Sequence, residues 1–118
     1  MKFYSAEKKQ RLTLSQAMVM FLQAQHSEYD GVEHRFFQGI WGIFGHGNVS
    51  GLSQALVEYG VDLPYHQPTN EQSMVHAATG FARTMRRKAT MACTTSIGPG
   101  ATNMITGAAT ATICPVSY

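Results

Sequence analysis

A unit of apolar run, turn and helix-period segment occurs three times along this chain, and it constrains the fold more than any other feature. In the first copy residues 39–44 read Gly-Ile-Trp-Gly-Ile-Phe, Gly45-His46-Gly47-Asn48 follow, and Val49, Leu52, Leu56 and Tyr59 recur at helical spacing. Asn48 is an expected N-cap for that helix, and Gly60 stands where a left-handed C-terminal residue is wanted. In the second copy residues 61–67 form a short extended piece interrupted by Pro64. Thr69 or Asn70 then caps a helix expected to run to about residue 87, with Met74, Val75, Ala78, Phe81, Ala82 and Met85 as its buried stripe. The third has a strand over 89–95, the turn Gly98-Pro99-Gly100 and a helix over 101–112 rich in Ala, Thr and Gly. Strand, turn and helix in repetition, the first strand apolar on both faces, predict βαβ units with right-handed crossovers around a parallel sheet. The expected class is α/β, three layers with a central parallel sheet. Pro115-Val116 reads as the opening of one more strand, so the sheet is expected to be incomplete within these 118 residues.

Before the first unit, Leu14, Ala17, Met18, Phe21 and Leu22 predict an amphipathic helix capped by Thr13 or Ser15. Residues 27–38 break that pattern with a charged stretch and read as a turn or surface loop. Arg83, Arg86, Arg87 and Lys88 are placed in the last turn of the second helix, where cations offset the carbonyl end of its dipole.

Composition removes several function classes. Hydrophobic residues make up 44% and charged residues 14%, which argues against disorder. A net charge of +2 gives no basic face for nucleic acid, and the longest apolar run, residues 17–22, is far short of the roughly 20 residues that cross a bilayer. No apolar segment follows Lys2, Lys8 and Lys9, so no secretory signal is read, and Cys93 and Cys114 have no CxxC spacing. The expected setting is a reducing cytoplasm, with no membrane or nucleic-acid partner. The five histidines include no HxxxH or HExxH, so no metal ligand is assigned in this segment.

Three segments offer polar groups at strand ends, and each has two readings. Residues 45–51 follow the pattern GxGxxxG, one residue longer than the dinucleotide fingerprint, and are either a tight turn or a phosphate cradle. His46 within them is either a surface residue or a pocket group. Gly98-Pro99-Gly100, flanked by Thr94, Thr95, Ser96, Thr102 and Asn103, lacks the Lys-Ser/Thr pair of a P-loop and either caps a helix or lines a site. Glu71 in the first turn of a helix either favours the helix dipole or does chemistry.

Together these segments resemble a known family. Asn70-Glu71-Gln72 with His76-Ala77-Ala78, Gly80 and Ala82-Arg83, followed by Thr95-Ser96-Ile97-Gly98-Pro99-Gly100-Ala101-Thr102-Asn103, resemble the pyrimidine-binding domain of thiamine diphosphate enzymes of the acetolactate synthase type. Within that superfamily the chain is most similar to the acylhydrolases of inositol catabolism that open trihydroxycyclohexane-1,2-dione. The shared features are Arg11-Leu-Thr-Leu-Ser-Gln-Ala17, Asp30-Gly-Val-Glu33, Gly42-Ile-Phe-Gly-His-Gly-Asn48 and Asn70-Glu71-Gln72, and the resemblance covers residues 11 to 109.

The resemblance implies a thiamine diphosphate-binding fold, with residues 1–12 as an N-terminal extension and 13–118 as part of the pyrimidine domain. It implies Glu71 as the catalytic carboxyl that bonds the aminopyrimidine ring nitrogen and favours its imino tautomer, while the cofactor acts as electron sink. A buried carboxyl with a raised pKa is expected for that role. Gly98, Gly100 and Asn103 are implied near the cofactor or a subunit contact, and His46 on the loop facing a cyclic dione that is opened to 5-deoxyglucuronate. The family holds Mg²⁺ and the diphosphate through a Gly-Asp-Gly motif in a second domain, and no Gly-Asp-Gly occurs here. The chain is therefore expected to be inactive by itself and to pair with full-length subunits of a homo-oligomer. The alternatives are a non-catalytic remnant, or part of a related carboligase or decarboxylase.

Overall fold

The computed structural model of the protein describes residues 9–113. Thr13 opens α1 (Leu14–Gln23) through a capping box, its hydroxyl accepting from the Gln16 N–H at 3.3 Å while the Gln16 side-chain oxygen accepts from the Thr13 N–H at 2.9 Å. The helix is where the sequence places it, but its rotation is not. Leu14 is 87% exposed, Phe21 61% and Met18 40%, and only Val19 is fully buried. Polar contacts accompany that rotation: Gln16 donates to Glu58 at 2.6 Å and Gln23 to the Tyr59 carbonyl at 2.7 Å, so the Val19–Leu22 side faces the following helix.

Residues 27–38 are not a loop. His26–Tyr29 (β1) and Val32–Arg35 (β2) pair antiparallel, with Glu28 opposite Glu33. Asp30 (φ 52°) and Gly31 (φ 74°) are both left-handed, as a two-residue hairpin turn of the type I′ kind needs. One face of the hairpin rests on the 85–88 turn: Ser27 donates to the Lys88 carbonyl, and the Lys88 ammonium sits 4.0 Å from the Tyr29 ring centroid.

Phe37–Gly42 (β3) is the middle strand of a parallel sheet ordered β4-β3-β5, with Tyr65–His66 (β4) and Thr90–Thr94 (β5) on its two sides. Ile40 is in register with Tyr65 and Ala92, and Trp41 with His66 and Cys93. The pleat sends Ile40 and Ala92 to one face, where Val19, Leu52, Ala55 and Leu63 close the core under α1 and the helix after β3. Met91 and Trp41 point to the other face, toward Met74 and Phe81 of the helix after β4. Helices therefore cover both faces, as a parallel sheet requires.

The helix after β3 starts at residues 46–47, passes through a π-helical segment (Asn48–Ser53) and ends as α2 (Gln54–Tyr59). Asn48 is thus inside the helix and does not cap it. Gly60 is not left-handed either: its φ is −89°, and its N–H bonds the Leu56 carbonyl at 2.8 Å. The helix after β4, α3 (Glu71–Thr84), is capped by Asn70, whose side-chain oxygen accepts from the Ser73 N–H at 3.1 Å. It ends three residues before the expected boundary. Arg86 (φ 52°) and Arg87 (φ 61°) are left-handed, and the Arg87 N–H returns to the Ala82 carbonyl at 2.7 Å, a 6→1 bond that satisfies the helix end. Only Arg83 remains in the last turn to meet the dipole. The last helix, α4 (Pro99–Ile113), packs along α3. The strand expected at Pro115-Val116 lies outside the described residues. No helix among the described residues is long and apolar enough to cross a membrane.

Candidate functional site

The strand order makes the chain step from β3 to one neighbour and then cross back to the other, and such a reversal opens a crevice at the carboxyl ends of the strands. The loops that follow β3 and β5 meet there. Asn48 ties them: its amide nitrogen donates to the Ile43 carbonyl at 2.8 Å and the Thr95 carbonyl at 3.3 Å, and its oxygen accepts from the Thr94 hydroxyl at 3.2 Å. Gly45 lets the loops close up, since a Cβ at that position would lie 3.1 Å from Ser96 Cα and Cβ.

Glu71, the first residue of α3, reaches toward the start of α4. Asn103 donates to Glu71 Oε2 at 2.8 Å, and Gln72 donates to the Asn103 side-chain oxygen at 2.7 Å. The other carboxylate oxygen faces Gly100: a Cβ there would sit 2.9 Å from Glu71 Oε1, 3.2 Å from Thr95 Oγ1 and 2.6 Å from Ser96 Oγ. Gly98 supplies the turn into α4 with φ +63°, and Pro99 takes the first helical position, which needs no N–H donor. Glu71, Thr95, Gly100 and Asn103 thus form one cluster at the starts of α3 and α4.

Glu71 is half-buried, and its carboxyl is held below its ordinary value of 4.5, not above it as expected. The Asn103 amide is the main cause, with the Glu71 backbone N–H next; both favour the anion, and the limited desolvation does not overcome them. Thr95 adds the weakest of these effects. Its hydroxyl oxygen is buried and makes no hydrogen bond of good geometry, yet it stands close enough to the carboxyl to favour the charged form.

His46 is exposed in the first turn of the helix after β3, with its carbonyl accepting from the Ser50 hydroxyl at 2.8 Å. Among the described residues no hydrogen bond or ion pair joins its ring to the Glu71 cluster. Sequence reasoning assigned no role to Gln72 or to the Asn48 clamp. Asn48 read as a cap, and both residues belong to the segments shared with the resembling family, but nothing in the sequence joined either of them to the site. A cavity of about 840 Å³ lies on the flank of α3 away from α4, lined by Trp41, His66, Ser73, Met74, Phe81 and Met91 among others. It is mostly apolar and contains no carboxylate, so the Glu71 cluster is the better candidate for proton chemistry. No group of three His, Cys, Asp or Glu among the described residues could hold a metal ion.

Residues 13–116 match the N-terminal TPP-binding domain of thiamine pyrophosphate enzymes. The chain belongs to this family. This TPP-binding domain is also 54% identical over 101 residues to a 3D-(3,5/4)-trihydroxycyclohexane-1,2-dione hydrolase of Bacillus thuringiensis (strain Al Hakam), and equally to one of Bacillus cereus (strain 03BB102). Each alignment covers 86% of the chain and 16% of the relative, so the chain spans about a sixth of the length of these proteins. No solved structure matches it significantly.

Proposed function

We propose that the chain supplies the aminopyrimidine side of a thiamine diphosphate site in an enzyme that hydrolyses a C–C bond of trihydroxycyclohexane-1,2-dione in inositol catabolism. One observation carries the site: Asn103 holds Glu71 Oε2 while Oε1 faces Gly100, which has no Cβ, beside the buried Thr95 hydroxyl. A carboxylate oxygen beside a hydroxyl fits the edge of a flat nitrogen heterocycle. Thiamine diphosphate, when bound, supplies the electron sink that C–C cleavage needs.

The residues divide the work. Glu71 accepts and returns a proton at Oε1. Asn103 holds Oε2 and sets the direction of the carboxylate, while Gly98 and Gly100 shape the turn that lets the ring approach. His46 contributes from the loop after β3, toward the substrate. The diphosphate and its Mg²⁺ are held by residues beyond these 118, consistent with the lack of any Gly-Asp-Gly run. Residues 13–118 form part of the pyrimidine domain, residues 1–12 precede it, and the partners are full-length subunits of a cytoplasmic homo-oligomer. The substrate rests on the names of the Bacillus relatives.

The test is a chimera in which residues 13–113 replace the matching segment of the B. cereus relative. It is expected to open the dione, and Glu71→Gln within it to lower kcat by about 10²-fold or more, the range of a lost proton-transfer group. A chimera that binds the cofactor but leaves the dione intact would contradict the hydrolase reading and favour a carboligase, checked with pyruvate.

A further inference from the structure

Gln72 takes no part in the chemistry proposed above, yet its side chain is joined to it. Its amide nitrogen donates to Asn103 Oδ1 at 2.7 Å, and Asn103 Nδ2 donates to Glu71 Oε2 at 2.8 Å. The carboxamide of Asn103 is nearly symmetric in shape and opposite in polarity at its two ends. Turned around, it would set its oxygen against the carboxylate, two acceptors facing each other. A donor on the far side of Asn103 stabilises the correct orientation, and Gln72 is that donor. Gly107 holds the pair in reach, because a Cβ there would lie only 3.1 Å from Gln72 Cα, so α4 rests directly on the first turn of α3.

We infer that Gln72 is a positioning residue for Glu71, acting through Asn103: it locks the Asn103 amide with its nitrogen toward Oε2, fixes the carboxylate rotamer and keeps Oε1 facing Gly100. The catalytic consequence rests on the proposed role of Glu71, but the relay is a property of the chain without cofactor. It predicts energetic coupling along Gln72, Asn103 and Glu71, since each bond polarises the next.

The test is an NMR pH titration of the 118-residue chain, following the Glu71 side-chain carboxyl carbon and the side-chain amides of Asn103 and Gln72. In the unsubstituted chain both amides are expected to titrate with the Glu71 midpoint; a Gln72 amide that ignores it overturns the relay without any substitution. Gln72→Met, close in size and lacking the donor, is expected to move the Glu71 midpoint upward toward 4.5. In an Asn103→Ala background the same substitution is expected to have no effect. An equal upward move in both backgrounds would mean that Gln72 acts directly or by packing, and the inference fails. Failure of cofactor binding leaves these titrations unchanged, so the two readings are separately testable.

Discussion

At the scale of single residues, Glu71 and Cys93 have shifted acidities for opposite reasons. Glu71 is held below 4.5 by donors, chiefly Asn103. A folded-state pKa below the unfolded one adds stability that is present above 4.5 and is lost as pH falls through the folded value. Thermal midpoints measured from about pH 6 down to about pH 3 should fall, and Glu71→Gln should flatten that fall. Identical slopes in the two proteins would remove Glu71 from the account of acid stability. Cys93 is pushed up to about 11 by burial, so it remains a thiol at neutral pH. Native chain treated with iodoacetamide at about pH 7.5 should leave Cys93 unmodified, whereas rapid labelling would show that the strand opens. Gly100→Ala brings a methyl group against Glu71 and Ser96 oxygens, and it should abolish cofactor-induced NMR shifts while leaving the helices intact by circular dichroism.

At the scale of elements, the helices and parallel strands among the described residues were legible as segments, because apolar period is a local signal, but Asn48 and Gly60 do not cap the helix after β3. Thr13 and Asn70, each one of two expected candidates, cap their helices, whereas Pro99, expected in a turn with the helix beginning at residue 101, is already the first residue of α4. The failures arose where local signals competed. Asp30-Gly31 is a strong hairpin signal, but the flanking strands are charged and half-exposed rather than apolar, so the alternation that marks a strand is missing. The stripe of α1 faces outward, because contacts to Glu58 and Tyr59, distant in sequence, set its rotation. The basic run at 86–88 lies past α3, in a left-handed turn that no propensity favours for arginine. Gly98→Ala tests the turn into α4: a left-handed non-glycine residue costs about 1–2 kcal/mol, to be read from urea unfolding midpoints. An unchanged midpoint would show that the turn relaxes to another conformation.

At the scale of the whole molecule, the sheet order is what turns three scattered segments into one site. Glu71 lies 32 residues from Asn103, and no periodicity links them; only the crossover from β4 past β3 to β5 brings the starts of α3 and α4 together. The resemblance pointed to Glu71, Gly98, Gly100 and Asn103, and the structure brings Glu71, Gly100 and Asn103 together, with Gly98 in the turn beside them. It leaves the His46 ring without a bond to them. The lowered pKa of Glu71 was not legible, because its main cause is the Asn103 amide, 32 residues away in the chain. Under the proposed division of the site, with the diphosphate held by residues beyond this chain, the domain should bind thiamine diphosphate weakly by itself.

The most direct measurement is therefore a two-dimensional ¹H–¹⁵N NMR titration of the 118-residue chain with thiamine diphosphate. The account predicts fast-exchange shifts centred on Glu71, Thr95, Gly100 and Asn103, and their loss in Glu71→Gln. Shifts centred instead on the cavity beside Trp41 and Phe81, or shifts that persist in Glu71→Gln, would contradict it.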